Sequence, residues 1–286
     1  MRYVVEQYDV ALTPARWMLR ETPRAATDRR RLLAVADPIY ERDDERIAPA
    51  ASGTGARLAP SAVGSPPEPA LRRLPWMARE TSDIVAEFMA SEVVRLVGPD
   101  ATCARLLALD WSQFRFIHVA TRGLLDAASP PLSALMLGRY DAHGAPLDAA
   151  VRVADLSLRS IAAELAVFSA CETALGKDVT SEGLVAIGYT ALARGAQSIV
   201  ASLWRVPDGT SARLMTDLYR HLLRDSNDAP AALGVAMRAE LARAPQADPA
   251  LWAPFQVSVV TTGRAPSRGH ATSAGARCPA APAGTL

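Results

Sequence analysis

Lysine is almost missing from this sequence. Lys177 is the only one among 31 basic residues, and arginine supplies the rest. Acidic residues number 30, so the formal net charge is +1. With that balance nothing points to nucleic acid or to an anionic membrane as a partner. The arginine bias and the abundant alanine point to a GC-rich genome and to no function. Cysteine is equally scarce: Cys103, Cys171 and Cys278 stand far apart, with no CxxC pair and no Cys/His cluster at ligand spacing. This excludes a structural zinc site and a disulfide framework, and an odd, sparse count fits a reducing compartment. No run approaches the ~18 apolar residues that span a bilayer. The start, MRYVVEQYDV, lacks the apolar stretch of a signal peptide. No internal repeat and no GxGxxG or GxxxxGKS loop is present. The expectation is a soluble cytoplasmic protein with no metal, nucleotide or organic cofactor.

What is present is ordinary globular material. The chain has 286 residues, of which 50% are hydrophobic and 21% charged, enough for one large domain or two small ones. Residues 3–12 alternate loosely and predict a strand. RLLAVADP (31–38) reads as a buried strand stopped by Asp37 and Pro38. Residues 48–69 are rich in Gly, Pro, Ala and Ser and read as a flexible loop. Helical spacing follows at 78–90, a strand at 92–98, and a helix with an acidic first turn at 99–109. Further strands are predicted at 114–120 and 132–138, a helix at 148–158, and a strand near the end of 162–170. SEGLVAIGYTALARGA (181–196) reads as a helix stopped at Gly195. A strand at 197–204, amphipathic helices at 207–224 and 229–244, and a last strand at 253–260 complete the series. The tail from Arg264 to Leu286 reads as disordered.

Strands separated by helices imply an α/β fold with a mostly parallel sheet covered on both faces. Sites in such sheets form beyond the carboxyl ends of the strands. ATRG (120–123) follows one predicted strand and SACET (169–173) another, so Arg122 and Cys171 are expected at one rim. Taken alone, Cys171 reads as a small core residue.

These residues resemble the CHAT-domain family, caspase-like proteins of peptidase clan CD. Matching blocks occur in order: LLAVADP, HVATRGLLD, PPLSALML, FSACETALGK, SEGLVAIGYTALARGAQSIVASLWRVPD, LMTDLYRHLL and LWAPFQV. The resemblance covers residues 1–263 and implies a caspase-like α/β sandwich with a Cys/His dyad. It makes Cys171 the nucleophile. It puts Arg122 where the family's HxATHG block carries its catalytic histidine, with His118 keeping the block's first histidine. The oxyanion amides would come from Gly123 and Cys171. Family domains usually carry more N-terminal strand material, often preceded by tetratricopeptide repeats, so this domain reads as N-terminally shortened, a state that would leave a sheet edge uncovered.

Cysteine peptidases need a thiolate and an acid that protonates the leaving amine. Histidine titrates near neutrality and does both jobs, whereas a guanidinium stays protonated. Arg122 would hold a thiolate by charge, pair with an acid such as Glu172, or bind an acidic partner segment, but it is a poor proton shuttle. His118 lies four residues earlier, ~13 Å along a strand at ~3.3 Å per residue, and reads as a core histidine. His143, in the loop YDAHGAP, is the candidate for a relocated base. Three functions follow as expectations. The first is an impaired caspase-like protein that binds a protein or peptide segment in its cleft, with partners among tetratricopeptide-repeat or defence-system proteins. The second is an active cysteine endopeptidase using Cys171 with His143. The third is a truncated remnant.

Overall fold

Strand β1, Leu32–Pro38, is buried along its whole length and shows how the core is built. Its side chains alternate: Leu33 and Val35 enter one apolar cluster, Leu32 and Ala34 the other. A strand buried on both faces needs neighbours above and below as well as on each side. The computed structural model describes residues 3–14, 31–48, 71–125, 129–169, 171–174, 182–204, 208–226, 228–243 and 248–260.

Around β1 lie β2 (Val93–Gly98), β3 (Phe116–Ala120), β7 (Leu165–Phe168), β9 (Ser198–Ser202) and β10 (Phe255–Val259). They form a six-stranded sheet in the order β10-β9-β7-β3-β1-β2. All pairs are parallel except β9 with β10. A second sheet joins β4 (Arg122–Leu125), β5 (Ala134–Met136), β6 (Ala150–Arg152) and β8 (Cys171–Ala174) in the order β6-β5-β4-β8.

Helices cover both faces of the large sheet. On one side α2 (Cys103–Ala108), α3 (Val153–Ser157) and α4 (Glu182–Ala193) pack through Leu106, Leu156, Ile187 and Ala191. On the other, α1 (Pro75–Val85), α5 (Asp208–His221) and α6 (Ala229–Arg243) pack through Ile84, Leu214, Leu218 and Leu233, and the short α7 (Pro249–Trp252) adds Trp252. Each such side chain taken from water stabilises the fold by about 1.5–3 kcal/mol. At the stop of α4, Gly195 has φ +117°, and a Cβ there would stand 2.9 Å from the carbonyl oxygen of Ile161. Only glycine fits that position.

The α/β class and the mostly parallel sheet with helices on both faces are as expected. Several local expectations are corrected. Residues 3–12 form a 3-10 turn at Val4–Glu6 and a single parallel bridge from Leu12 to Ser258, because the segment only flanks β10. Residues 148–158 divide into β6 and α3, since Val151 is taken by the second sheet. Helix α2 starts at Cys103 with Thr102 as its cap, so no acid occupies its first turn. Helix α1 begins at Pro75, a residue suited to a first turn. The predicted loop beyond Ala48 and the tail from Arg264 lie outside the described residues. Among the described residues no helix is long and apolar enough to cross a membrane.

Candidate functional site

Two neighbouring strands of the large sheet run on into the small one. After β3 the chain passes Thr121 and continues as β4, and after β7 it passes Ser169 and continues as β8. The register carries through the break: Val119 stands opposite Phe168 before it, and Arg122 opposite Cys171 after it. Gly123 is then opposite Glu172. Neighbouring strands are ~4.8 Å apart, so the backbones of Arg122, Gly123 and Cys171 meet at one place. That place is where the two sheets part, at the carboxyl ends of parallel strands.

The Arg122 side of this junction is held by side chains from three segments. The backbone N–H of Arg122 donates to the hydroxyl of Tyr40 at 3.1 Å, and that hydroxyl donates to the carbonyl of Met136 at 2.9 Å. Arg122 and Met136 are register partners, so the buried phenol stands between them as a bridge in the ladder. Arg122 Nε donates to the carbonyl oxygen of Arg72 at 2.9 Å. The next residue, Arg73, grips the buried carboxylate of Asp37 with two bonds of 3.0 Å, and Arg46 takes the same carboxylate at 2.7 Å. Asp37, the last residue of β1 before Pro38, has φ 49°, a left-handed conformation that aspartate tolerates better than most residues. Its two arginines thus anchor the 71–74 and 41–47 segments beside Arg122.

The Cys171 side is approached by a buried polar chain. Tyr219 Oη lies 3.5 Å from His118 Nδ1, and His118 Nε2 lies 3.1 Å from Glu80 Oε1. Glu80 Oε2 accepts from Ser211 Oγ at 2.9 Å, and Ser211 Oγ is 3.5 Å from Ser169 Oγ. All five residues are buried. Burial, with Glu80 adding to it, pushes the Tyr219 phenol well above its ordinary pKa. A protonated phenol donates to Nδ1, which leaves Nε2–H to donate to the Glu80 carboxylate. The chain ties α1, β3 and α5 to Ser169, two residues before Cys171.

His118 is therefore a core residue with its bonds satisfied, as its distance from Arg122 along the strand implied. His143 occupies the turn between β5 and β6, with its backbone N–H on Asp141 Oδ1 at 2.8 Å and the next residue, Gly144, at φ +77°. Ala48 N–H donates to Ala142, which packs this turn on the 44–48 segment. Cys103 is a buried free thiol raised in pKa by burial, then by Asp148 and Asp155; its Sγ lies 3.7 Å from the carbonyl of Ala150. Among the described residues no group of three or more His, Cys, Asp and Glu side chains is disposed to hold a metal ion.

Sequence reasoning missed Tyr40, Asp37, Arg73, Glu80 and Ser211. Glu80 left one readable sign: it is in phase with Met77 and Ile84 on the buried stripe of α1.

Tetratricopeptide repeat protein 28 of Mus musculus is 36% identical over 102 residues, covering 36% of this chain and 4% of its own length. Its counterpart from Homo sapiens is 33% identical over 128 residues, covering 45% of this chain and 4% of its own. The chain thus spans about 4% of the length of these curated relatives. The crystal structure of the Arg-specific cysteine proteinase gingipain R (RgpB) aligns with 80% of this chain and 45% of that chain, at 8% identity and a TM-score of 0.45. The CHAT domain matches residues 1–260, nearly the whole described fold, and the chain belongs to the CHAT domain family.

Proposed function

We propose that this chain is a CHAT-domain protein that keeps the nucleophile position at Cys171, carries Arg122 at the family's histidine position, and acts by binding a protein or peptide segment rather than by cutting it. The observation that carries this reading is the register that sets Arg122 directly opposite Cys171. A dyad partner belongs at that distance, and the residue there cannot lose its proton.

The chemical consequence follows from the two steps of amide cleavage. Attack by a thiolate on the scissile carbonyl forms a C–S bond and pushes charge onto the oxygen. Amides from Gly123 and Cys171 would receive that charge. Collapse then breaks the C–N bond, and the departing nitrogen needs a proton. Arg122 favours the thiolate by its charge but gives up no proton at neutral pH. Loss of acid–base assistance lowers a rate by about 10²–10⁴. In this reading the site holds a segment but does not expel the amine half of the bond.

Partners in this reading are proteins. The curated relatives are named for tetratricopeptide repeats, and repeat or defence-system proteins of the cytoplasm fit as the source of the bound segment. The reading is tested by incubating the natural chain and Cys171→Ala with a peptide library and analysing retained and released peptides by mass spectrometry. Both proteins are expected to retain the same peptides intact. Retention only by the natural chain, with cut products in the flow-through, contradicts the proposal.

A further inference from the structure

A second surface lies on the outer face of the molecule, between α1 and α5. It is a groove of about 530 Å³, lined by Trp76, Arg79 and Asp83 from α1, by residues of α5 from Gly209 to Arg220, and by Arg243 at the end of α6. The lining residues follow helical spacing on each wall, so the groove runs along the helices. The α5 wall runs from Gly209 to Arg220, eleven steps along the helix or roughly 16 Å at ~1.5 Å per residue. An extended peptide at ~3.3 Å per residue fills it with about five residues.

The charges in this groove are sorted by depth. Arg213 is 51% exposed over Glu240, which is 6% exposed. Arg220 and Arg243, 38% and 49% exposed, lie over Asp217 at 11%. Arg220 and Arg224 also meet Glu87 from above. Glu240, Asp217 and Glu87 sit below and guanidinium edges face outward, while Asp83 is an exposed carboxylate of the lining. Burial pulls the Glu240 carboxyl up, but Arg213 and Arg243 together hold it below its ordinary value, so it stays ionised at neutral pH and fixes the arginines above it. Each guanidinium carries five donors and the ion pairs use only some of them. On the opposite wall Arg79 is exposed and, among the described residues, has no hydrogen-bond or ion-pair partner. Fixed arginines with spare donors recognise planar carboxylates, and Trp76 at the mouth offers an apolar face.

We infer that the α1/α5 groove is a binding site for an acidic polypeptide segment, with Arg79 and the outer edges of Arg213, Arg220 and Arg243 taking its carboxylates. Asp83 and Asp217 also line the groove, so a continuous phosphate backbone meets repulsion where a peptide presents a neutral residue. The net charge of +1 likewise argues for a peptide over a nucleic acid. The groove is lined by residues other than Arg122 and Cys171, and the inference does not rest on those two being used.

The test is fluorescence anisotropy with the full chain and a fluorescein-labelled Glu-Leu-Glu-Leu-Glu probe, with Lys-Leu-Lys-Leu-Lys and a five-nucleotide oligothymidylate as comparisons. The acidic probe is expected to bind more tightly than either comparison. Arg79→Glu should weaken it about tenfold or more, and Asp83→Asn should tighten it. Arg79 supports nothing in the fold, and an unchanged thermal transition of Arg79→Glu checks this. No binding of the acidic probe, equal binding by Arg79→Glu, or tighter binding of the oligothymidylate overturns the inference.

Discussion

Replacing Arg122 with histidine is expected to raise peptide cleavage by about 10²–10⁴ over the natural chain, all of it dependent on Cys171. The backbone already sets the two positions opposite each other, with Gly123 next in line. Tyr40 holds the N–H of residue 122 through its hydroxyl, and that bond does not depend on which side chain follows. An imidazole there titrates near neutrality, takes the thiol proton and returns it to the departing nitrogen. The change removes the bond from Arg122 Nε to the carbonyl of Arg72. That carbonyl lies in a segment still anchored by Arg73 on Asp37, so the local fold is expected to survive. Initial rates on a peptide library are compared for the natural chain, Arg122→His, and Arg122→His combined with Cys171→Ala. A rise that persists without the cysteine, or no rise in a folded variant, counts against the assignment of both positions.

Glu80→Ala is expected to cost about 2–6 kcal/mol of stability, at about 1–3 kcal/mol for each of the two buried donors it strands. Glu80 is 1% exposed and its two oxygens hold His118 and Ser211. Truncation leaves both groups unsatisfied inside a core that excludes water, and it opens a cavity beneath α1. Urea denaturation with an unchanged slope measures the loss as a shift in midpoint. His118→Ala combined with Glu80→Ala should cost less than the two single changes added together, because the second loss removes a group the first has already stranded. A shift under about 1 kcal/mol for Glu80→Ala contradicts this account of the polar chain.

Most of the fold was legible because apolar periodicity dictates it. The run FRFIHVA gave β3, and Leu214, Leu218 and Leu222 gave the inner face of α5 and the turn that follows it. The rim position of Arg122 and Cys171 followed from each lying just past the carboxyl end of a predicted parallel strand. The second sheet was not legible. Its strands β5 and β6 are three residues each, too short to set a period against neighbouring turns. The partners of the site were hidden for a different reason. Asp37 reads as a strand stop, and only the fold brings Arg46 and Arg73 to it from separate segments. Glu80 reads as one more acid on a polar-faced helix unless its phase with Met77 and Ile84 is counted. The groove between α1 and α5 joins residues more than a hundred positions apart, and no spacing rule reaches that far.

The central claim is that a permanent cation occupies the place of the proton carrier. It is tested most directly by the rate at which the purified natural chain cleaves a peptide library at pH 7, with Cys171→Ala as the blank. The account predicts that the two rates coincide. A rate for the natural chain well above that of Cys171→Ala contradicts it.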